Sequence, residues 1–360
     1  MARVGVVFGG RSVEHEVSIV SARTVAGALA EAGHEVVALG IAQDGCWVGQ
    51  EASEAALYGN VQALGALGLP ASPTLRHLLA SPAEVLFPIA HGTWGEDGTL
   101  QGLFEMLDVP YVGAGVTASA LAMDKLLAKR LWRAAGLPVM DFWPVSRGDS
   151  EARRRQTLSE AAQQSPPLFV KPSVGGSSVG IRRVDRAEDV EGAVAFALGF
   201  DEVALIERAA AGRELEVAVL GYPKLEASAV GEIVPGNAFY DYQDKYLQDK
   251  ARLIAPAELA EDVAERIRRL AVEAFAALGG TGMARVDFFL VGDDAIFVNE
   301  VNTLPGFTRI SMYPRLWEIS GLPLPRLVSR LVELAVERHR DRQRLDQGIK
   351  SFLAHLHRSG

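Results

Sequence analysis

Apolar residues in the first third of the chain form short unbroken runs separated by a longer stretch of helical spacing. Residues 3–8 have the pattern of a buried strand, residues 17–32 have helical spacing that stops before Gly33, and residues 35–41 form a second strand-like run. A strand, a helix and a strand in this order predict a parallel sheet with a right-handed crossover. We therefore expect residues 1–121 to form one α/β domain.

The pattern changes after a helix that we predict at residues 125–135 and that ends at Gly136. Strands are predicted near residues 168–171, 179–184, 203–207, 214–220, 227–233, 284–291 and 295–301. Helices are predicted near residues 188–198 and 259–278, and again from residue 324 onward. We divide this part of the chain into a small central α+β domain (122–206), a C-terminal domain (207–345) and a tail (346–360).

Composition and charge restrict the possible functions. The 360 residues are 49% hydrophobic and 22% charged, with a net charge of -9, which is typical of a globular protein and disfavours a nucleic-acid binder. No apolar run reaches the roughly 20 residues of a membrane span, and the first residues lack the pattern of a signal peptide. Cys46 is the only cysteine, which excludes an intrachain disulfide. We expect a cytoplasmic protein without a membrane partner.

A loop rich in glycine and serine joins the two strands predicted in the central domain. It reads KPSVGGSSVG over residues 171–180. Glycines let backbone N–H groups converge on an anion, while serine hydroxyls add donors and Lys171 adds a positive charge. The Gly-Lys-Ser/Thr ending of a Walker loop is missing. At this point an anion-binding loop and an ordinary hairpin are both open.

Four polar residues near the end of the chain lie at strand spacing. Residues two apart on a strand face the same side, so pairing of the two strands across a turn at residues 293–294 would gather Arg285, Asp287, Glu300 and Asn302. Oxygen ligands without His or Cys suit Mg²⁺ bound to a nucleotide. The alternative is a solvated face with a salt bridge, but apolar neighbours indicate buried strands, where such groups are costly without partners.

Three further loops contain candidate residues. Gly306 allows close approach of a ligand, and its N–H could bind an oxyanion, although a plain turn is the simpler interpretation. Glu14 lies beyond the first strand, at the edge where open α/β sheets bind ligands, and could accept an ammonium group or simply begin a helix. His91 is at another strand end, and a lone histidine is more often structural.

Together these segments resemble the D-alanine–D-alanine ligases of the ATP-grasp superfamily. The motifs that carry the resemblance occur in the family's order: GGRSVEHEVS (9–18), HGTWGEDGTLQG (91–102), MDK (123–125), KPSVGGSSVG (171–180), FYDYQDKY (239–246), RVDFF (285–289) and NEVNTLPGFTRISMYP (299–314). The resemblance covers the chain to about Pro325. It implies a Rossmann-like N-terminal domain followed by a two-part ATP-grasp fold with ATP between the last two domains. Residues 147–165 and the tail after about residue 340 carry no family motif, and we interpret both as surface structure.

The resemblance implies a set of nucleotide and metal contacts. The residues implied for ATP are Lys125, Lys171, Gly176, Ser177, Ser178, Glu207, Arg208, Ala210, Glu214, Phe239 and Phe289. The ligands implied for two Mg²⁺ ions, with Mn²⁺ as a substitute, are Asp287, Glu300 and Asn302. Ala209 and Ala210 are smaller than expected in the segment that meets adenine, so contacts there fall to backbone groups.

The resemblance also implies the substrate and catalytic residues. Those near the two D-alanine molecules are Glu14, His91, Lys245, Arg285, Ser311 and Met312. The catalytic set is Glu14, Ser177 and Tyr246, which match a hydrogen-bonded trio in the family, with Arg285 and the Gly306 N–H as the oxyanion site. Residues 236–250 would form a lid.

The function implied is ATP-dependent, ADP-forming ligation of two D-alanine molecules through an acyl phosphate intermediate, for peptidoglycan synthesis. The resemblance also implies that the protein is a homodimer. One alternative is a ligase of the same fold that makes D-alanyl-D-lactate or D-alanyl-D-serine; the pair Lys245-Tyr246 resembles the dipeptide-forming type. The other is a catalytically silent ATP-binding protein, which we would expect to have lost Asp287, Glu300, Asn302 or Arg285.

Overall fold

The computed structural model describes residues 1–59, 64–65, 82–164, 166–234, 252–308 and 310–359. The helices in this part of the chain are α1 His15–Glu31, α2 Gln50–Tyr58, α3 Thr99–Met106, α4 Val116–Met123, α5 Lys125–Ala134, α6 Glu151–Ala162, α7 Val190–Ala197, α8 Glu261–Ala277, α9 Met312–Ile319 and α10 Leu324–Ser359. The strands are β1 Arg3–Gly9, β2 Glu35–Ile41, β3 Val85–Pro88, β4 Phe142–Ser146, β5 Leu168–Pro172, β6 Arg182–Val184, β7 Val203–Arg208, β8 Arg213–Gly221, β9 Leu225–Val234, β10 Arg252–Ile254, β11 Gly282–Val291 and β12 Ala295–Asn302. The predicted lid, with Phe239, Lys245 and Tyr246, lies outside the described residues.

The first sheet is parallel, with strand order β2-β1-β3. The apolar run of β1 is buried almost throughout, and α1 packs against it with a face that includes Ile19, Val25 and Leu29. The parallel sheet predicted from the first 41 residues is therefore confirmed. The loops that follow β1 and β3 lie at the carboxyl edge of this sheet, where open α/β sheets bind ligands.

The second sheet is antiparallel, with strand order β4-β7-β5-β6. Strand β6 begins at Arg182 rather than near residue 179, because the positive φ angles of Ser177, Ser178 and Gly180 turn the chain before it becomes extended. The arginine-rich stretch forms α6. Ser150 is the N-cap of this helix, and its hydroxyl accepts a hydrogen bond from the Arg153 N–H. Only Ala161 of α6 is fully buried, so this is a surface helix.

The third sheet is antiparallel, with strand order β10-β9-β8-β11-β12. In the pairing of β11 with β12, Arg285 lies opposite Asn302 and Asp287 opposite Glu300, as the strand spacing predicts. A bulge follows Asp287. Val286 and Phe288 alternate with these polar residues and are buried on the other face, against α8.

The first and third sheets share one hydrophobic core. Phe307, which follows β12, packs edge-on against Phe87 of β3 and against Tyr313 of α9. The first half of α10 joins this core through buried residues from Leu327 to Ala335, and Arg338 donates hydrogen bonds to the carbonyl of Tyr111. The domain boundaries after residues 121, 206 and 345 stay predictions.

None of the described helices contains an apolar stretch long enough to cross a bilayer.

Trp132 of α5 is a large side chain in the core of the third sheet. Its side chain is completely buried in the core of the third sheet, and its indole N–H donates to the carbonyl of Ala274 at 2.9 Å. Trp132→Ala leaves a cavity and an unpaired carbonyl, so we expect the free energy of unfolding to fall by about 3–5 kcal/mol. Chemical denaturation measures this. Leu127→Ala, at an exposed position of the same helix, is the control and should change stability by less than about 0.5 kcal/mol.

Candidate active site

A cleft of about 2010 Å³ runs between the carboxyl edge of the first sheet, the glycine-rich loop of the second sheet and one face of the third sheet. Every predicted site residue in the described part of the chain lines it: Glu14, His91, Lys125, Lys171, Gly176, Ser177, Ser178, Glu207, Arg208, Ala210, Glu214, Arg285, Asp287, Phe289, Glu300, Asn302, Gly306, Ser311 and Met312. Segments far apart in sequence therefore meet at one place.

The polar face of β11 and β12 is a network of charge-assisted hydrogen bonds. Arg285 forms a fork with Asp287, with Nε to Oδ1 at 2.7 Å and Nη2 to Oδ2 at 2.8 Å. Asn302 donates to Asp287 Oδ2 at 3.0 Å. Burial disfavours the charged guanidinium, but the carboxylates of Asp287 and Glu216 outweigh it and hold the pKa of Arg285 above its usual value.

Glu216 was not predicted as a site residue. It lies on β8 opposite Asp287, and its Oε1 is 3.1 Å from Arg285 Nε. The side chain is buried. Its spacing of two residues from Glu214 is the signal in the sequence, because both side chains must then face the same side of the strand.

Two carboxylates and an amide form the part of this face that suits Mg²⁺. Asp287 and Glu300 are register partners, and the Asn302 side chain contacts Asp287. Their oxygens are hard ligands of the kind that Mg²⁺ prefers. Within the described ranges, no three His, Cys, Asp or Glu side chains converge to form a metal cage. An ion here would therefore need water or phosphate oxygens to complete its coordination, which is how Mg²⁺ accompanies a nucleotide.

A second buried charge cluster lies at the wall of the cleft. Lys171 of β5 places its Nζ 2.8 Å from Glu207 Oε2 on β7, and Lys129 of α5 places its Nζ 3.2 Å from Glu207 Oε1. Burial lowers the pKa of Lys129 to about 8, against the attraction of Glu207. Burial alone would raise the pKa of Glu207, but the two ammonium groups lower it. Glu207 therefore stays ionised.

Lys129 was also missed by the sequence analysis. It stands one helical turn after Lys125, so the two lysines lie on the same face of α5. Lys125 was predicted from its motif, and its Nζ donates to the carbonyl of Gly175 at 2.6 Å. The signal for Lys129 was this spacing of four residues.

The glycine-rich loop reaches toward Glu14. Ser177 and Ser178 have φ angles of 51° and 59°, a strained conformation for residues with a side chain. A Cβ atom built on Gly176 would lie 3.7 Å from Glu14 Oε2, so this carboxylate lies close to the loop. Ser177 Oγ is buried without a hydrogen-bond partner among the described residues, which fits a partner such as the predicted Tyr246. The trio itself stays a prediction.

His91 lies in the cleft wall with both ring nitrogens bonded to protein groups. Nδ1 is 2.9 Å from the Leu304 carbonyl, which can only accept, so Nδ1 carries the proton. Nε2 is 3.1 Å from Ser21 Oγ and accepts from that hydroxyl. Burial lowers the pKa of His91, although the negative charge of Glu14 acts in the opposite direction. This neutral ring fixes the backbone at Leu304; direct contact with a substrate stays a prediction.

Glu96, in the loop after His91, is a third residue that the sequence analysis did not single out. It accepts a hydrogen bond from the Gly92 N–H at 2.6 Å. Burial, assisted by the negative charge of Glu14, raises the pKa of Glu96 to about 8. The carboxyl is therefore largely protonated at neutral pH.

The backbone at Gly306 has no room for a side chain. A Cβ atom there would be 2.8 Å from Ser311 Oγ. That hydroxyl accepts a hydrogen bond from the Thr308 N–H at 2.9 Å, which fixes its position before α9. The turn thus keeps Gly306 and Ser311 together beside Met312.

On the predicted adenine side, the Ala209 N–H donates to the Pro167 carbonyl at 3.1 Å, so this amide already has a hydrogen-bond partner.

The sequence is similar to one group of enzymes among known proteins. The family model described as "D-ala D-ala ligase N-terminus" matches residues 3–114, and "D-ala D-ala ligase C-terminus" matches residues 131–333. The chain is 46% identical to a D-alanine–D-alanine ligase of a Mycobacterium species, over 93% of this chain and 96% of that protein. It is 44% identical to D-alanine–D-alanine ligase A of Chromobacterium violaceum, over 94% and 96%.

Solved structures agree over nearly the whole chain. The D-alanine–D-alanine ligase of Coxiella burnetii superposes with a TM-score of 0.84 at 35% identity and covers 98% of this chain and 99% of its own. The VanG D-Ala:D-Ser ligase of Enterococcus faecalis superposes with a TM-score of 0.77 at 31% identity, over 93% and 99%.

The raised pKa of Glu96 makes stability depend on pH. Protons bind the folded state more tightly than the unfolded state between pH 4.5 and about 8, so this residue's contribution to stability is complete below pH 4.5 and is lost as pH rises through 8. Glu96→Gln keeps the shape of the neutral acid and should match the wild type at pH 5. At pH 9 it should be more stable, by on the order of 4 kcal/mol. Urea unfolding at both values measures this, and an equal difference at the two pH values would contradict the assignment.

Proposed function

The chain belongs to the D-alanine–D-alanine ligase family, and we propose that it joins two D-alanine molecules, with ATP as the energy source, in the cleft described above. Membership rests on matches to both halves of the family and on 46% identity to a curated relative. ATP-dependent ligation follows from membership. The assignment of individual residues is our proposal.

One approach between two segments carries the residue assignment. Glu14, proposed to receive the ammonium of the first D-alanine, has its carboxylate close to Gly176 of the loop proposed to hold the ATP phosphates, since a Cβ atom on Gly176 would lie 3.7 Å from Glu14 Oε2. A D-alanine bound to Glu14 would therefore have its carboxylate close to that loop. The reaction needs this proximity because the carboxylate oxygen must attack the γ-phosphoryl group in line.

The chemistry proceeds in two steps. A carboxylate oxygen of the first D-alanine bonds to the γ-phosphorus, and ADP leaves. The amine of the second D-alanine, having lost a proton, then attacks the acyl phosphate carbon, and the bond to phosphate breaks. Lys125 and Lys171 are proposed to bind the phosphates, while Asp287, Glu300 and Asn302 would hold Mg²⁺, which offsets phosphate charge.

Arg285 and the Gly306 N–H are proposed to stabilise the oxyanion that forms in the second step. The guanidinium is held at one edge by Asp287 and Glu216. An arginine has five N–H donors, so this arrangement leaves others for the substrate. Donors that are fixed before the reaction cost no reorganisation when charge develops.

The relatives and the site both bear on the alternatives. The named D-Ala:D-Ser ligase is a more distant structural neighbour, at 31% identity, than the curated D-alanine–D-alanine ligases. The pair Lys245-Tyr246, which favours the dipeptide-forming type, lies outside the described residues. A silent ATP-binding protein is disfavoured because Arg285, Asp287 and the other predicted ligands all face the cleft. A homodimer and a cytoplasmic location stay proposals that rest on the family alone.

Phosphate release tests the function. The enzyme is incubated with ATP and Mg²⁺ plus D-alanine, L-alanine, or D-alanine with D-lactate or D-serine, and the products are identified by mass. We expect release with D-alanine alone and a D-alanyl-D-alanine product. A mixed product as the main species would indicate one of the related ligases, and ATP binding without release would contradict ligase activity.

Arg285→Ala tests the oxyanion assignment. Loss of such a donor typically costs about 3 kcal/mol, so we expect turnover to fall at least about 100-fold while the KM for ATP changes little. Arg269→Ala, at an exposed position on α8, removes the same charge far from the cleft and should keep wild-type turnover. Near-normal turnover of Arg285→Ala would contradict the role.

A further inference from the structure

Lys129 is the one buried charge of the lysine cluster that does not line the cleft. We propose that Lys129 is a positioning residue for nucleotide binding. It balances the negative charge of Glu207, so that the positive charge of Lys171 stays available to the phosphates. This inference rests on the proposed function, because it assigns Lys171 to ATP.

The three side chains form a line from the interior to the cleft. Lys129 on α5 is 0% exposed, Glu207 on β7 is 4% exposed, and Lys171 on β5 is 7% exposed. Each oxygen of Glu207 faces a different lysine, Oε1 toward Lys129 and Oε2 toward Lys171. Glu207 and Lys171 line the cleft, while Lys129 lies behind them. Glu207 and Lys171 therefore form the wall of the cleft, and Lys129 lies behind Glu207.

Charge balance gives Lys129 its role. One carboxylate between two ammonium groups leaves a net charge of +1, and this charge lies on the side of the cluster nearest to the cleft. Without Lys129 the pair Glu207–Lys171 would be neutral. Because charges interact strongly where water is excluded, Glu207 would then hold Lys171 and compete with an incoming phosphate. Lys129 weakens that competition without touching the nucleotide.

Stability does not explain the cluster. Replacing a buried ion pair by apolar groups of similar volume is often neutral or stabilising, so burying a lysine is not needed for folding as such. The pocket around Lys129 could hold a methionine of similar length. A charge placed directly behind two residues of the cleft wall is better explained by what it does to them.

The test is titration of the full-length enzyme with ADP and Mg²⁺ by calorimetry, which needs no turnover. We expect Lys129→Met to weaken ADP binding about tenfold, equivalent to about 1.4 kcal/mol. The KM for ATP should rise similarly while kcat at saturating ATP stays within about twofold of the wild type. Arg130→Met, at the next and exposed position of α5, removes the same charge and should bind ADP normally.

A second variant separates positioning from packing. In the Glu207→Gln background no carboxylate competes for Lys171, so adding Lys129→Met should change ADP affinity by less than about threefold relative to Glu207→Gln alone. Normal ADP binding by Lys129→Met, or a tenfold loss on adding Lys129→Met to Glu207→Gln, would overturn the inference. If Lys129→Met does not fold, as judged by thermal unfolding, Lys129→Gln alone and with Glu207→Gln provides the same comparison. Failure of the proposed function would instead appear in the wild type, as absence of phosphate release with D-alanine.

Discussion

The pairing of β8, β11 and β12 is the constraint on which the cleft depends. Across these strands Glu216, Asp287 and Glu300 stand in one row, and Arg285 is two residues away on the same face. Since side chains alternate along a strand, a shift of one residue would turn this row into the hydrophobic core and expose Val286 and Phe288. The apolar face therefore fixes the register, and the register places the polar groups. The reactive face thus follows from how the sheet buries its other side.

The buried charges in turn bind the structural units together. Glu207 of the second sheet is held by Lys129 of α5, a helix whose Trp132 is buried in the core of the third sheet. His91 lies in the loop after β3 of the first sheet, and its Nδ1 donates a hydrogen bond to the carbonyl of Leu304, which follows β12. Removing one partner of such a pair leaves a buried polar group unsatisfied, so these contacts resist displacement. The cleft is consequently a junction of three sheets whose polar groups hold one another.

The sequence predicted the parts of the site that depend on local spacing or on motifs. The strand pairing that brings Asp287 opposite Glu300 follows from alternation and is confirmed. Lys129, Glu216 and Glu96 were missed because their partners lie far along the chain. The spacings from Lys125 to Lys129 and from Glu214 to Glu216 indicate a shared face but do not identify those partners. The start of β6 was misplaced because the positive φ angles of Ser177 and Ser178 are imposed by the loop, against the preference of serine. Tertiary contacts, rather than local preference, decide these positions.

The protonation states around Glu14 suit a substrate that carries its own charge. D-Alanine brings one ammonium group, which one ionised carboxylate can neutralise. A second ionised carboxylate nearby would leave excess negative charge close to the loop that is proposed to bind phosphates. The pKa of Glu96 is raised by burial and by Glu14, so the second carboxyl is largely neutral. His91 is kept neutral by burial and by its bonds to Leu304 and Ser21, so it adds no compensating charge. With Glu96 and His91 both neutral, an ammonium group proposed to bind at Glu14 and a phosphate proposed to bind at the glycine-rich loop would meet no further charge from these two residues.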